Sequence, residues 1–242
     1  MMWFNFFPLL VLFVGLFFPL QGYAFNPSHL QQLKNTKSCP RCDLERADLS
    51  ALDLSGANLN GANLKYAILT GTNLKAARLR AANLKGAKFK QTILEGAQLQ
   101  KAILREVRLQ GHNLSRANLS RADLRRADLS NSNLRRTIME ATNLEHSKLT
   151  WARLEGANLR SANLKSADLS WAILEMADLR GAHLQKALLV ETIFLGANLV
   201  RANLTGAEMI APNLINAVLT HSIWTDGKTC DNGSLGKCLR IK

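Results

Sequence analysis

A five-residue repeat constrains this chain more than any other feature of its sequence. From Leu44 to Trp224 every fifth residue is large and apolar, and no insertion or deletion interrupts the series. Leucine fills 32 of these 37 positions, and a small residue, usually alanine, lies two residues before most of them. A period of five spreads apolar residues around an α-helix and sends successive ones to opposite faces of a strand. The repeat therefore predicts a coil that turns a corner every five residues.

The repeat unit resembles that of the pentapeptide-repeat family. Its A-(D/N)-L-x-x pattern is plain in Ala57-Asn58-Leu59-Asn60-Gly61 and in Ala122-Asp123-Leu124-Arg125-Arg126, and it covers residues 42–226. The resemblance implies an all-β fold, a right-handed quadrilateral β-helix in which four units make one turn. The turns of such a solenoid bury one another's apolar side chains. At the usual strand spacing, about nine turns give a rod ~43 Å long.

Residues 1–24 have the pattern of a secretory signal peptide. The segment 3–20 is almost wholly apolar, and Gly22 and Ala24 are small residues before a plausible cleavage point. The run is also about long enough to span a bilayer, and it has no basic residue before it, so an uncleaved membrane anchor is the alternative. Both interpretations predict export, with the mature protein periplasmic or secreted.

The segments that flank the repeat are expected to act as caps. A solenoid needs them because its terminal turns expose the core and unpaired backbone. Residues 25–41 form the predicted N-terminal cap, where Asn26-Pro27-Ser28 is typical of the start of a short helix. Residues 227–242 form the predicted C-terminal cap, and their Asp-Gly and Asn-Gly steps favour tight turns.

Four cysteines lie in two close pairs, one at each end of the repeat. An even number in an exported chain indicates disulfides, and bonds between opposite ends of a rod would exceed the ~7 Å that a disulfide allows between Cα atoms. We expect the bonds Cys39–Cys42 and Cys230–Cys238. A redox-active Cys-x-x-Cys motif is the alternative for the first pair, although no βαβ context accompanies it. The separation of the pairs argues against a shared zinc site.

The register of the repeat sorts exposed residues onto four faces, here called faces one to four, whose first inward residues are Leu44, Leu49, Leu54 and Leu59. The formal net charge is +13, with 31 basic and 18 acidic residues, which favours contact with anionic surfaces. On face four only Glu140 and Asp178 oppose a set of basic residues that are candidate contacts to an anionic partner: Arg78, Arg80, Lys101, Arg121, Arg160, Arg180 and Arg201. The alternative is a solvated face that aids solubility.

Face two contains a pair of tryptophans, Trp151 and Trp171, 20 residues apart. We expect them to stack on neighbouring turns and to face outward, with Leu188 and Ile210 extending the apolar character. Exposed apolar patches often mark contacts. The pair is therefore a candidate surface for a protein partner or for self-association, and a simple stacking ladder is the alternative.

One small-residue position holds a histidine, His112, in the same column as Thr72, Thr92, Ser132 and Thr192. We expect it to be an interior side chain that is hydrogen-bonded near Thr92 and Ser132. No catalytic constellation, cofactor motif or metal-ligand spacing is present in the sequence, so we expect neither an enzyme nor a cofactor.

The sequence therefore predicts a non-enzymatic, exported scaffold that contacts an unknown protein partner or an anionic envelope surface. Binding of nucleic acid, or of a topoisomerase that acts on it, is the alternative function. The basic charge suits direct nucleic-acid binding. The predicted export makes nucleic acid a disfavoured partner.

Overall fold

A computed structural model of the protein describes residues 25–240. The predicted signal peptide or anchor lies outside these residues. The described part contains one α-helix, α1 (Pro27–Thr36), followed by a long coil. Within it, no helix is both long enough and apolar enough to cross a membrane.

The coil advances one turn every 20 residues. Parallel bridges of a single residue each join an Asn/Asp position to the equivalent position 20 residues later, from Ser38–Asn58 to Asn203–Ile223, with two exceptions considered below. Between turns, the amide of Leu44 donates to the carbonyl of Asn63 at 2.8 Å, and the amide of Asn63 donates to Cys42 at 2.9 Å. The backbone hydrogen bonds therefore run along the axis of the coil and join its successive turns.

Each corner of the coil is a tight turn. At the first full corner, the amide of Ala47 donates to the carbonyl of Leu44 at 3.0 Å. The second central residue of the corner has a positive φ at every fifth position from Arg41 to His221. A type II turn requires this conformation at that residue, and glycine adopts it most easily. Most of these positions are nevertheless not glycine, as at Ala76 (φ 53°) and Ala141 (φ 52°).

The core is a stack of inward leucines surrounded by small residues. The leucine positions are buried from Leu44 to Leu204, and near the C-terminal end Met209, Leu214 and Trp224 are partly exposed. Where a hydroxyl replaces alanine in the wall it is hydrogen-bonded, as when Thr72 Oγ1 donates to the carbonyl of Leu49 at 2.8 Å. The wall thus tolerates small polar residues because a backbone carbonyl, of the preceding turn or of the same turn as for Ser132, accepts from each hydroxyl.

Helix α1 covers the first turn of the coil. Its N-cap is Asn26, whose side chain accepts from the amide of Ser28 at 3.0 Å. Lys37 ends the helix in the left-handed conformation, and Leu33 is completely buried against the core. The disulfide Cys39–Cys42 follows at the junction between helix and coil.

The C-terminal segment folds back over the last turn. It forms antiparallel bridges between Ile223 and Thr229 and between Val218 and Leu235. The amide of Leu219 donates to the carbonyl of Ser234 at 2.8 Å, and the disulfide Cys230–Cys238 closes the segment. This return pairs backbone groups that would otherwise leave the end of the rod as an open edge.

Glycine at the strained corners should stabilise the rod. The left-handed conformation costs a non-glycine residue about 1–2 kcal/mol, and glycine avoids this cost. Glycine loses more conformational entropy on folding, however, which offsets about half of the gain. Ala76→Gly with Ala141→Gly should raise the free energy of unfolding by about 1 kcal/mol in total. As a matched control, Ala152→Gly at a buried wall position should lower it. Urea denaturation measures both, and equal destabilisation by all three changes would contradict this account of the corners.

Loss of the C-terminal disulfide should loosen the last turn. The bond spans eight residues, whereas Cys39–Cys42 spans three, so its removal should cost more, about 2–3 kcal/mol. We expect Cys230→Ser with Cys238→Ser to lower the urea midpoint more than Cys39→Ser with Cys42→Ser. Limited proteolysis should then cut the C-terminal segment first. Cleavage that begins at the helical end in both double variants would be inconsistent with this prediction.

Candidate functional site

All seven basic residues proposed on face four lie exposed on the coil. Of the two acidic residues on this face, Asp178 accepts a hydrogen bond from Nε of Arg180 at 2.8 Å. This hydrogen bond is the main cause that holds the pKa of Asp178 below its usual range, and Arg160 acts in the same direction. Asp178 therefore stays ionised at neutral pH and offsets one of the seven cations.

Three of these cations lie around one surface depression. Arg160, Arg180 and Arg201, together with His221, border a hollow of about 410 Å³ next to Gly181. The remaining members are distributed along the other half of the face and do not join this hollow: Arg78, Arg80, Lys101 and Arg121. Face four thus has a local cluster of positive charge within a longer basic strip.

On faces one and three, which adjoin face four, pairs of arginines bind the same carboxylate. On face one, Asp123 pairs with both Arg105 and Arg125. On face three, Glu155 pairs with Arg135 at 2.7 Å and also with Arg153. Of the seven face-four cations, Arg180 alone forms an ion pair with a residue in the range 25–240. By formal charge, face four has the largest excess of cations, seven against two carboxylates, and the adjacent face one is the next most positive.

The two tryptophans of face two stack as expected. The ring centroids of Trp151 and Trp171 are 5.3 Å apart and the rings are inclined by 7°. The side chains remain 56% and 37% exposed, and Leu188 and Ile210 are exposed on the same face. The distance between rings matches the spacing between neighbouring turns, so the register of the backbone is sufficient to bring the rings together.

His112 does not lie in the interior, which corrects the expectation from its position in the repeat. It is half-buried, and its ring contacts two backbone carbonyls, Phe89 O from Nε2 at 2.5 Å and Gln110 O from Nδ1 at 3.0 Å. The neighbouring hydroxyls of Thr92 and Ser132 bond elsewhere, to the carbonyls of Leu69 and Leu129. The histidine is hydrogen-bonded, but to the backbone of the preceding turn and of its own.

The wall of the coil is split beside His112. The two missing bridges of the ladder are the successive pairs Lys88–Arg108 and Ile93–Asn113. The gap between residues 86–91 and 106–112, here called the wall cleft, has a volume of about 650 Å³. Sequence reasoning missed it, although a signal was present: Phe89, Val107 and His112 are all larger than the residues usual at their positions.

No group of three or more His, Cys, Asp and Glu residues suited to hold a metal ion occurs within residues 25–240. The histidine near the N-terminus, His29, has a structural contact, since its Nδ1 accepts from the amide of Asp43 at 3.0 Å. Both expected cysteine pairs are disulfide-bonded in the structure.

A coil of 20-residue turns, with leucines inside and single-residue bridges along its axis, defines a β-solenoid. The chain belongs to the pentapeptide-repeat family. The family description "Pentapeptide repeats (8 copies)" matches four overlapping stretches between residues 102 and 210, and "Pentapeptide repeat region" matches residues 42–119. The fold of this family is the right-handed quadrilateral β-helix, and its members are generally non-catalytic scaffolds.

Solved structures similar to the chain include other pentapeptide-repeat proteins. HetL, which is involved in heterocyst differentiation regulation in the cyanobacterium Nostoc sp. strain PCC 7120, is 29% identical, with 84% of this chain and 96% of HetL covered at a TM-score of 0.47. QnrB1, a plasmid-mediated fluoroquinolone resistance protein, is 18% identical over 74% of this chain and 75% of its own, with a TM-score of 0.41. A protein of the Arabidopsis thaliana thylakoid lumen is 25% identical over 53% of this chain and 85% of its own, with a TM-score of 0.30. No curated protein matches the chain.

Hydrogen exchange should reveal the wall cleft in solution. The amides of Phe89 and Arg108 have no backbone partner among the described residues, whereas their equivalents in neighbouring turns, Leu69 and Asp128, are bonded at 2.8 and 2.9 Å. The first two should exchange at least about 10-fold faster than the second two. His112→Thr should slow both fast amides, because a threonine fits the wall at Thr72 and Thr92. Equal protection of all four amides in the unaltered protein would contradict the separation of the two turns at the wall cleft.

Proposed function

We propose that this protein is an exported scaffold, a rod of about nine turns that lies against an anionic envelope surface through face four. The observation that carries the proposal is the charge of this face, where seven exposed cations face only two carboxylates. One of those carboxylates, Asp178, is already paired with Arg180. The other faces mix the two signs of charge more evenly.

The shape of the rod suits an extended partner. Neighbouring turns are about 4.8 Å apart, so the step from Arg80 to Arg160, four turns later, covers about 19 Å along the axis. The arginines and the lysine of face four therefore present charge at intervals along the axis of the rod. A surface with many separate anionic groups can pair with all of them at once, which a single small anion cannot do.

The proposed contact with the envelope surface is centred on the cluster of cations around Gly181. Arg160, Arg180 and Arg201 converge there, and the hollow between them leaves room for an anionic head group of the surface. Each basic side chain near an anionic membrane contributes about 1 kcal/mol of binding free energy. The whole face, with its net excess of five cations, should therefore bind measurably without any apolar insertion.

Charge reversal on face four should weaken binding to anionic vesicles. In the triple variant Arg80→Glu, Arg160→Glu and Arg180→Glu, the loss of three cations alone should lower the partition coefficient at least about 100-fold at low salt. Vesicles of phosphatidylglycerol and phosphatidylcholine provide the anionic surface, and phosphatidylcholine alone provides the neutral one. Raising the salt concentration should weaken binding of the unaltered protein because exposed charges are screened.

A matched control changes the same number of charges on another face. Lys75→Glu, Arg116→Glu and Arg136→Glu reverse three exposed cations of face three and should reduce binding much less. Unchanged binding of the face-four variant, or equal loss in both variants, would refute the proposal. Stronger binding to duplex DNA than to vesicles, lost in the face-four variant alone, would favour nucleic acid as the partner instead.

A further inference from the structure

The wall cleft exists because the side chain of His112 is too long for its position. In the same column, Thr72 and Thr92 donate from Oγ1 to the carbonyl of the residue 23 positions earlier, at 2.8 and 2.6 Å. His112 contacts the equivalent carbonyl, that of Phe89, through Nε2. A threonine hydroxyl is one bond from Cβ, whereas Nε2 of histidine is three bonds away. The imidazole therefore replaces the hydroxyl contact and holds the two turns apart.

The separation leaves backbone groups of both turns without partners in the described part of the chain. On one side these are the amides of Phe89 and Gln91 and the carbonyl of Ala87, and on the other the amide and the carbonyl of Arg108. In the regular ladder all of these groups point at the neighbouring turn. They consequently border the cleft and are free to bind a ligand there.

Cationic side chains surround these backbone groups. Lys88, Lys90 and Arg108 line the cleft, and Glu106 is the one carboxylate among its lining residues within the described chain. Phe89 and Val107 add an apolar floor, and both remain almost completely buried. A volume of about 650 Å³ is within the range of small-molecule sites.

We propose that the wall cleft binds a small organic anion that carries hydroxyl groups, of the class of sugar phosphates and sugar acids. The unpaired amides and the three cations suit a phosphate or carboxylate group. The unpaired carbonyls of Ala87 and Arg108 can accept hydrogen bonds from the hydroxyl groups of such a ligand. The ring of His112 keeps the two turns apart and thus positions the backbone groups on both sides of the wall cleft.

This site is independent of the basic face. The cleft opens on face two and at its corners with faces one and three, while face four lies on the opposite side of the four-sided coil. Changes in the cleft should leave vesicle binding unaltered, and charge reversal on face four should leave ligand binding unaltered. The failure of one proposal is therefore distinguishable from the failure of the other.

Calorimetric titration of the full chain tests the proposal, with glucose 6-phosphate and glucuronate as anionic probes and glucose as the neutral one. We expect at least one anion to bind at millimolar concentration or below and to bind at least about 10-fold more tightly than glucose. A preference for one anion identifies phosphate or carboxylate as the group recognised. Binding of neither anion, or equal binding of glucose, would overturn the proposal.

Two variants locate the binding. Lys88→Gln with Arg108→Gln should weaken it at least about 10-fold, because two charged donors are lost. Lys148→Gln with Arg116→Gln removes two cations outside the cleft and should have little effect. His112→Thr should close the cleft and abolish binding while the circular dichroism spectrum is retained. An anion that binds equally well to all of these variants would bind elsewhere, and the assignment to the wall cleft would be wrong.

Discussion

Hydrogen bonds between residues about 20 positions apart hold this structure together. The amide of Leu154 donates to the carbonyl of Ile173 at 2.7 Å, and the amide of Ile173 donates back to Ala152 at 2.9 Å. The same exchange recurs at nearly every unit of the coil, although the bridges themselves are single residues. Since strands in a sheet are about 4.8 Å apart, this ladder sets the spacing of everything attached to it. The stacked tryptophans and the line of cations on face four both follow from that spacing.

The ladder must also offset the strain of the corners. A left-handed residue is required at every corner, and many of those residues are as bulky as Trp151 and Arg201. Each such residue costs about 1–2 kcal/mol relative to a relaxed backbone, so no single corner would persist alone. Buried leucines and paired turns supply the compensation, and they do so only while the register is kept. An inserted residue would shift every later leucine out of the core, which explains the unbroken period of the sequence.

Periodicity gave much of the fold but little of the local geometry. The five-residue register correctly placed the inward leucines, the stack of Trp151 on Trp171 and the exposure of the face-four cations. It assigned His112 to the interior because a repeat defines positions and not volumes. The split of the wall depends on how far an imidazole reaches compared with a hydroxyl, and on the size of Phe89 and Val107 beside it. Such information resides in side-chain dimensions and in the response of the backbone, which periodicity alone does not contain.

A uniform solenoid offers few concave sites, because each turn covers the backbone of the one before it. A binding site within the wall requires that the backbone pairing between two turns be broken locally. The break destabilises the coil least where another group replaces the missing hydrogen-bond partner. His112 does this through its contact with Phe89 O, which joins the two separated turns, while its other ring nitrogen contacts Gln110 O of its own turn. The same histidine thus accounts for both the opening of the wall cleft and the continued cohesion of the two turns that border it.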